Sequence, residues 1–469
     1  MRYRNSAILT GTLDRFRPFG ECYRQKGGKE SVGVIVALIG FLFAVLTTVT
    51  SVQAASIDAT PDSYLGMVRT LKPGDTLHLA PGVYRHGLPL HDLRGNPNEP
   101  IVIVGDDSGG GAILVARAGA NTVSIKDAAY VVVRSLVLDG AGLAVDAVKA
   151  EGTSRFAHHI TLENLVIINH SVDQQIVGIS SKCPAWNWVI RGNVIRGAGT
   201  GIYLGDSDGS APFVGGLIED NLIVDTIGYN LQIKHQTARS AIMPTERATT
   251  VIRDNVFSKA TAGSVGALAR PNVLLGHLPL SGPGSADSYS VYGNFFHENP
   301  NELLLQAEGN VVIYNNVFLN TVGSAVGIRP HHAPLRSIVI AQNTIVARGT
   351  GISVLAATAE TRQDVVANAV FAGLPLSGGK WQWNVTGSFQ AAAEALVGPF
   401  EAPGEMDFSP RGGRLNAPAG SIAEPANTSL EDYFGRLRIR SAGAIAPGLG
   451  APWRFDLVKQ GRKVSRLHD

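Results

Sequence analysis

The sequence predicts an all-β chain wound as a single-stranded parallel β-helix. A short phrase of β-branched residues around one asparagine recurs along it. It runs ITLENLVI at Asn164, WVIRGNVI at Asn193, GLIEDNLIV at Asn221 and TVIRDNVF at Asn255. It continues as YSVYGNFF at Asn294, VVIYNNVF at Asn316, SIVIAQNTIV at Asn343 and DVVANAVF at Asn368. The intervals are 29, 28, 34, 39, 22, 27 and 25 residues, a period that marks a solenoid. Within each copy the apolar positions alternate instead of recurring at three and four, which excludes helical repeats.

Each coil is expected to hold two strands, because several copies are followed by a second strand-like phrase: GTGIYLGD, GYNLQIKH, SAVGIRPH or GTGISVLA. YVVVRSLVLDG is an earlier copy with Ser135 in the asparagine slot. Every strand would pair with its copy one coil away, ~4.8 Å along the axis. The asparagine suits a tight turn, where it can take the left-handed conformation. Stacked copies can also bond amide to amide. With 54 glycines and only 17% charged residues in 469, the chain fits a thin, repetitive core between tight turns.

The two ends differ from the coils. Residues 1–30 carry seven Lys/Arg against three Asp/Glu, and an uncharged apolar stretch follows up to Asp58. Small residues close that stretch at Val52-Gln53-Ala54. This reads as an export signal over 1–54, cut after Ala54. The alternative is an uncleaved membrane anchor over 32–54, since the run approaches the ~20 residues a spanning helix needs. Either way the rest of the chain is expected outside the cytoplasm, periplasmic or extracellular. The β-helix is expected over 55–396. It opens with a short capping helix around Ser63–Thr70, a Pro73-Gly74-Asp75 turn and a strand Thr76–Leu79. After a short helix in SFQAAAEALVG, an irregular tail over 397–469 is expected to pack back along the coils.

Without residues 1–54 the formal charge of +2 becomes −2, so any basic site must be local. Nucleic-acid binding is excluded for want of stacking aromatics and a basic surface. Cys22 precedes the apolar stretch and leaves Cys183 alone, so an exported chain has no internal disulfide. A monomer is expected.

Matching the second strand of each coil gives a polar column. GISSKC, GIYLGD, NLQIKH, GALARP, ELLLQA and GIRPHH align Lys182, Gly205, Lys234, Arg270, Gln306 and His331, with Asp206, His235 and His332 beside them. In a solenoid such a column becomes a stripe along the axis. A file of cations suits a linear polyanion, and a uronate polysaccharide is the expected partner. Its β-elimination needs carboxylate neutralisation, a base for the C5 proton and an acid for the leaving oxygen. Lys234 is expected as base, because neighbouring cations lower a lysine pKa. His235 is expected as acid or proton shuttle, and Arg239 and Arg270 as carboxylate binders. Arg329 falls beside the column in GIRPHH, and LLGHLPLSGPGS is a loop that would wall the groove with His277 at its base. Paired-carboxylate hydrolysis is disfavoured, since consecutive coils do not supply aspartates in one column.

Three stretches carry a resemblance: LKPGDTLHLAPGVYRHGLPL with NPNEPIVIVG, the repeated asparagine phrase, and DYFGRLRIRSAGAIAPG. Over about residues 57–450 the chain resembles the pectate-lyase-like (pectin-lyase-like) right-handed β-helix superfamily. The opening segment is most similar to the alginate lyase and chondroitinase B family. The resemblance implies right-handed coils and a lyase site with a lysine base, an arginine on the next coil and calcium at the uronate. GISSKCPAWNWVIRGNVI resembles the lysine segment and puts Lys182 in the base slot. The next coil departs from the pattern, with GIYLGDSDG where Arg-His should stand. Either the site lies one coil on at Lys234, His235 and Arg270, or the mechanism differs, or catalysis is lost. Asp206 and Asp208 could offer oxygens to Ca²⁺, although Asp-x-Asp-Gly is also a plain turn. His331 and His332 could be a transition-metal pair, but neighbours on a strand face opposite sides, so they are expected to act independently.

Overall fold

The computed structural model describes residues 54–106, 111–152, 156–357, 360–416, 430–438, 441–448 and 450–461. The signal or anchor expected over 1–54 lies, but for Ala54, outside the described residues, as does 462–469.

The fold is a right-handed parallel β-helix, with three strands per coil where the sequence suggested two. One coil runs Ala128–Arg134, Leu136–Asp139 and Val148–Ala150; the next runs Ala157–Glu163, Val166–His170 and Val177–Ser181. Each strand pairs in parallel with its copy, as in Val131 opposite Ile160, Val137 opposite Val166 and Val148 opposite Ile179. The asparagine phrase is itself two strands with a corner between them. Buried positions step by three across that corner, from Leu162 to Leu165 and from Ile190 to Asn193, but the phrase is short enough to read as one strand. The N-terminal cap is a helix, Tyr64–Val68, followed by the strand Thr76–Leu79. An earlier strand, Ser56–Ala59, pairs with that one and had no signal in the alternation.

Parallel registration turns like residues into stacks. Leu162, Ile190, Ile218, Ile252, Val291, Ile313, Ile340 and Val365 follow one another along the first strands, all fully buried. Along the second strands Phe257, Phe296 and Phe318 stack, the last pair with ring centroids 4.4 Å apart.

The corner between first and second strands holds the asparagine ladder. Nδ2 of Asn193 donates to Oδ1 of Asn221 at 2.9 Å, and the chain of amides continues through Asn255, Asn294, Asn316, Asn343 and Asn368 to Asn384. The left-handed conformation belongs to the residue before each rung: Gly192, Asp220, Asp254, Gly293, Asn315, Gln342, Ala367 and Trp383. Asn164, with φ of 52°, falls in that left-handed column together with Ser135. The rung below Asn193 is the backbone N–H of Leu165, which donates to its Oδ1. The ladder therefore starts one coil later than the sequence suggested and ends one rung further on.

The tail packs on the outside of the second strands. Phe408, Tyr433, Ile445 and Phe455 bury against Leu222, Val256, Phe295 and Val317. Lys459 Nζ donates to Gly192 O at 2.8 Å, and Gly461 N to Asp220 Oδ1 at 2.9 Å. The face of the third strands is left to the loops.

Removing one rung leaves several buried groups without partners, each costing about 1–3 kcal/mol. Asn316→Leu strips the Nδ2 bonds to Val291 O, Tyr314 O and Asn343 Oδ1, and removes the Oδ1 that accepts from the Asn294 backbone N–H and Nδ2. It should lower the thermal unfolding midpoint sharply. Asn164→Gly, at an exposed left-handed position, should change it little. Equal losses in the two variants would place Asn164 back in the ladder.

Candidate active site

Outward side chains of the third strands form two rows. Pairing aligns Lys149, Ser180, Tyr203, Gln232, Leu274 and Gln306. Two residues on, backbone bonds carry the register to Lys182, Lys234, Gly276, Glu308 and Arg329, with Gly205 between the two lysines. The column read from the sequence holds at Lys182, Gly205 and Lys234. Beyond that it slips. GALARP is loop, and the strand there is Val273–Leu275. The next two coils are displaced by two residues, which gives the slots to Glu308 and Arg329 and moves Gln306 one row over.

Lys182, Lys234 and Arg270 nevertheless meet. They line an open groove of ≈ 590 Å³ together with Lys149, Tyr203 and Tyr229. Arg270 arrives from the loop between Val256–Ser258 and Val273–Leu275, not from the column. Its Nη1 donates to Ala267 O and Ala269 O at 3.0 and 2.7 Å, and its guanidinium lies 5.9 Å from the Tyr229 ring centre. The fully buried Lys259 pins this loop, donating from Nζ to Arg270 O at 2.8 Å. Lys182 Nζ sits 3.4 Å from the centre of the Tyr203 ring and Lys234 Nζ 5.9 Å from it. The Tyr203 hydroxyl meets Ser207 Oγ at 3.0 Å. Gly205 makes room for this cluster: a Cβ there would lie 3.2 Å from Lys234 Cβ.

Burial is the first influence on the groove's charges. It lowers Lys182 to about 8, helped by Lys149 and Lys234 and opposed by Asp206 and Asp146. Lys234 is lowered by burial and then by Arg270, with Asp206 and Glu308 working against both. Crowding by cations, the cause expected from sequence, comes second to desolvation. Burial also raises the phenols of Tyr203 and Tyr229, which keeps them protonated as hydrogen-bond donors.

The other expected site residues lie elsewhere. Arg239 is buried in an ion pair with Asp287 and donates to Pro244 O at 2.6 Å, so its charge is spent within its own loop. His235 does not line the groove; its ring stacks on His332 with centroids 3.8 Å apart. His277 is buried with its ring nitrogens facing Leu278 O and Pro334 O. Arg329 pairs with Glu302 at 3.3 Å and lines a second hollow of ≈ 420 Å³. Asp206 and Asp208 form a turn, with Asp208 N donating to Asp206 Oδ1 at 3.2 Å and Ser210 N to Asp208 Oδ1 at 2.8 Å. Glu219, near them in sequence, is held by Arg191 and Arg253 on the first-strand face, so no calcium cage gathers around that turn among the described residues. Lys149, Tyr203 and Tyr229 were missed, although alternation counted back two residues from Lys182 and Lys234 leads along the row that holds Lys149 and Tyr203.

No protein-family model and no curated protein matches the chain. Solved structures do. A GH136 lacto-N-biosidase from Eubacterium ramulus superposes with TM-score 0.50 at 14% identity, over 71% of this chain and 68% of that one. A PL6 family alginate lyase gives 0.47 at 15% identity over 71% of this chain and 51% of the other. The A-module of an Azotobacter vinelandii mannuronan C-5 epimerase gives 0.41 at 14% identity, over 68% and 88%. The chain spans about half the length of that alginate lyase. What is shared is the coil.

The lowered Lys182 has a signature in stability. Between about 8 and the ordinary 10.5, the unfolded chain holds a proton that the folded chain has released. Stability therefore rises with pH across that window. Thermal unfolding of the wild type should gain on Lys182→Met from pH 8 to 10.5, and parallel profiles would contradict the burial-lowered amine.

Proposed function

We propose that the protein acts on an acidic, uronate-containing polysaccharide by abstracting the C5 proton, as a lyase or a C5-epimerase. The observation that carries this reading is the gathering of Lys149, Lys182, Lys234 and Arg270 around two phenols in one open groove. The chain that supplies them is slightly acidic beyond residue 54. Lys182 is the base, since an amine at about 8 is partly neutral near neutral pH and close to the pH where a general base is most effective. Arg270 and Lys234 pair with the uronate carboxylate and hold the charge that develops when C5 loses its proton. Tyr203 donates its hydroxyl proton to the C4 oxygen as the C4–O bond breaks, and the electrons of the C5–H bond form the C4–C5 double bond. In epimerisation the C4–O bond stays, and a proton returns to C5 from the opposite face.

Hydrolysis by two carboxylates fits less well. Among the described residues lining the groove, Asp146 is the carboxylate. It accepts from Val177 N at 2.8 Å and lies 3.6 Å from Lys149 Nζ, leaving no facing partner of its kind.

Incubation with alginate, pectate and glycosaminoglycans should give 4,5-unsaturated ends by ultraviolet absorbance, or C5 deuterium uptake in D₂O. Lys182→Met should lower that rate by about 10²–10⁴-fold, with the wild-type rate climbing through pH about 8. Salt-sensitive binding with neither product would make the groove a polysaccharide-binding surface only.

We also infer that the chain works after export. The β-helix is already anchored at Ala55, whose N–H donates to Asp75 Oδ1 at 2.9 Å, directly after the expected cut. Secreted material should begin at Ala55 by N-terminal sequencing; recovery of full-length chain from membranes would favour the anchor instead.

A further inference from the structure

We propose that Glu308, His331 and His332 form a binding site for a transition-metal ion of the zinc class, separate from the cation groove. Glu308 occupies the same outward row as Lys182 and Lys234, where the backbone register continues past Gly276. The residue is nearly buried, 4% exposed. Oε2 accepts from the backbone N–H groups of both His331 and His332 at 3.0 Å, which fixes the carboxylate. Oε1 lies 2.8 Å from His332 Nδ1.

The two histidines leave the strand before they begin. Val326–Ile328 ends three residues before His331, and the chain then bends, so the strand rule that would separate neighbouring side chains does not hold. Their ring nitrogens approach to 3.2 Å. The ligand atoms of all three side chains lie within 4.8 Å of one another. Bonds of about 2.0–2.1 Å at tetrahedral angles put zinc ligands about 3.3 Å apart. The spacings of 2.8 and 3.2 Å are close to that edge. The donor set also selects the ion. Two imidazoles and one carboxylate suit zinc and its neighbours, whereas calcium wants six to eight oxygens.

Two further features fit. His331 and His332 are exposed while Glu308 is not, so the site has a rigid floor and an open side for a water or ligand in the fourth position. His235 stacks on His332 at 3.8 Å and 15°, holding that ring in its plane. His235 is thus a positioning residue for the metal site, a role beyond the acid or proton shuttle read from sequence.

The test is calorimetric titration of the full, untagged, chelator-treated chain with Zn²⁺ and, separately, with Ca²⁺. The proposal expects a single Zn²⁺ site of micromolar affinity or tighter. Glu308→Gln and His332→Ala should each weaken it by at least about 100-fold, and His235→Ala by about 10-fold. His332→Ala leaves the backbone bonds that hold Glu308 in place, so it should still unfold in one cooperative transition above the titration temperature, and a loss of zinc there cannot be blamed on unfolding. Lys182→Met should bind zinc like the wild type, which keeps this site independent of the groove chemistry. Absence of a Zn²⁺ site in the wild type, undiminished Zn²⁺ binding by His332→Ala, or Ca²⁺ taken up through Glu308 would overturn it.

Discussion

Parallel register is the constraint on which everything else rests. Once the chain is wound at ~4.8 Å per coil, each residue's neighbours are its copies above and below. The ladder enforces this at one corner, since each Oδ1 accepts both the backbone N–H and the side-chain Nδ2 of the rung before, as Asn255 does from Asn221. A coil that slipped by one residue would break both bonds and turn an isoleucine of the core outward. Intervals between rungs of 16 to 39 residues are tolerated because insertions leave at corners and return to the same register.

Those insertions make the groove. The loop pinned by Lys259 brings Arg270 over the third strands, and the turn at Asp206 to Ser210 stands between Lys182 and Lys234 in the winding order. Both lysines are partly removed from water. That matters more for their protonation than the neighbouring cations do. Glycines decide what fits beneath. At Gly205 a side chain would press on Lys234, and at Gly276 a Cβ would strike the backbone of His235 at 2.2 Å.

The period and alternation made the fold legible before any coordinates. The strand count was not, because the corner shifts the alternation by a single position, from Ile190 to Asn193, inside a phrase short enough to read as one strand. Asn164 looked like a rung because ITLENLVI and WVIRGNVI match in letters. The pairing of Leu162 with Ile190 shows they are offset by one residue. Asn384 went unseen because its strand, Lys380–Gln382, is exposed throughout and lacks the alternation. Lys182 and Lys234 were readable as a column. Arg270 reached the groove by a different route from the one inferred, through a loop mistaken for a strand. Arg239 could not be judged from sequence, as its partner Asp287 lies 48 residues away and only packing brings them together.

Winding alone does not choose a reaction. The choice is made in the outward rows, where side chains are free of the core. Here one row runs from Lys182 and Lys234 past Gly276 to the acidic Glu308 and then the basic Arg329. On the first side of that glycine, amines and phenols share a groove fit for a carboxylate. On the other, a buried carboxylate draws two histidines to it. A solenoid can hold two chemistries this close because each coil adds its own outward residues without disturbing the stack beneath. The histidine that follows Lys234 reaches across that boundary: its ring stacks on the metal-site imidazole while Lys234 itself lines the groove.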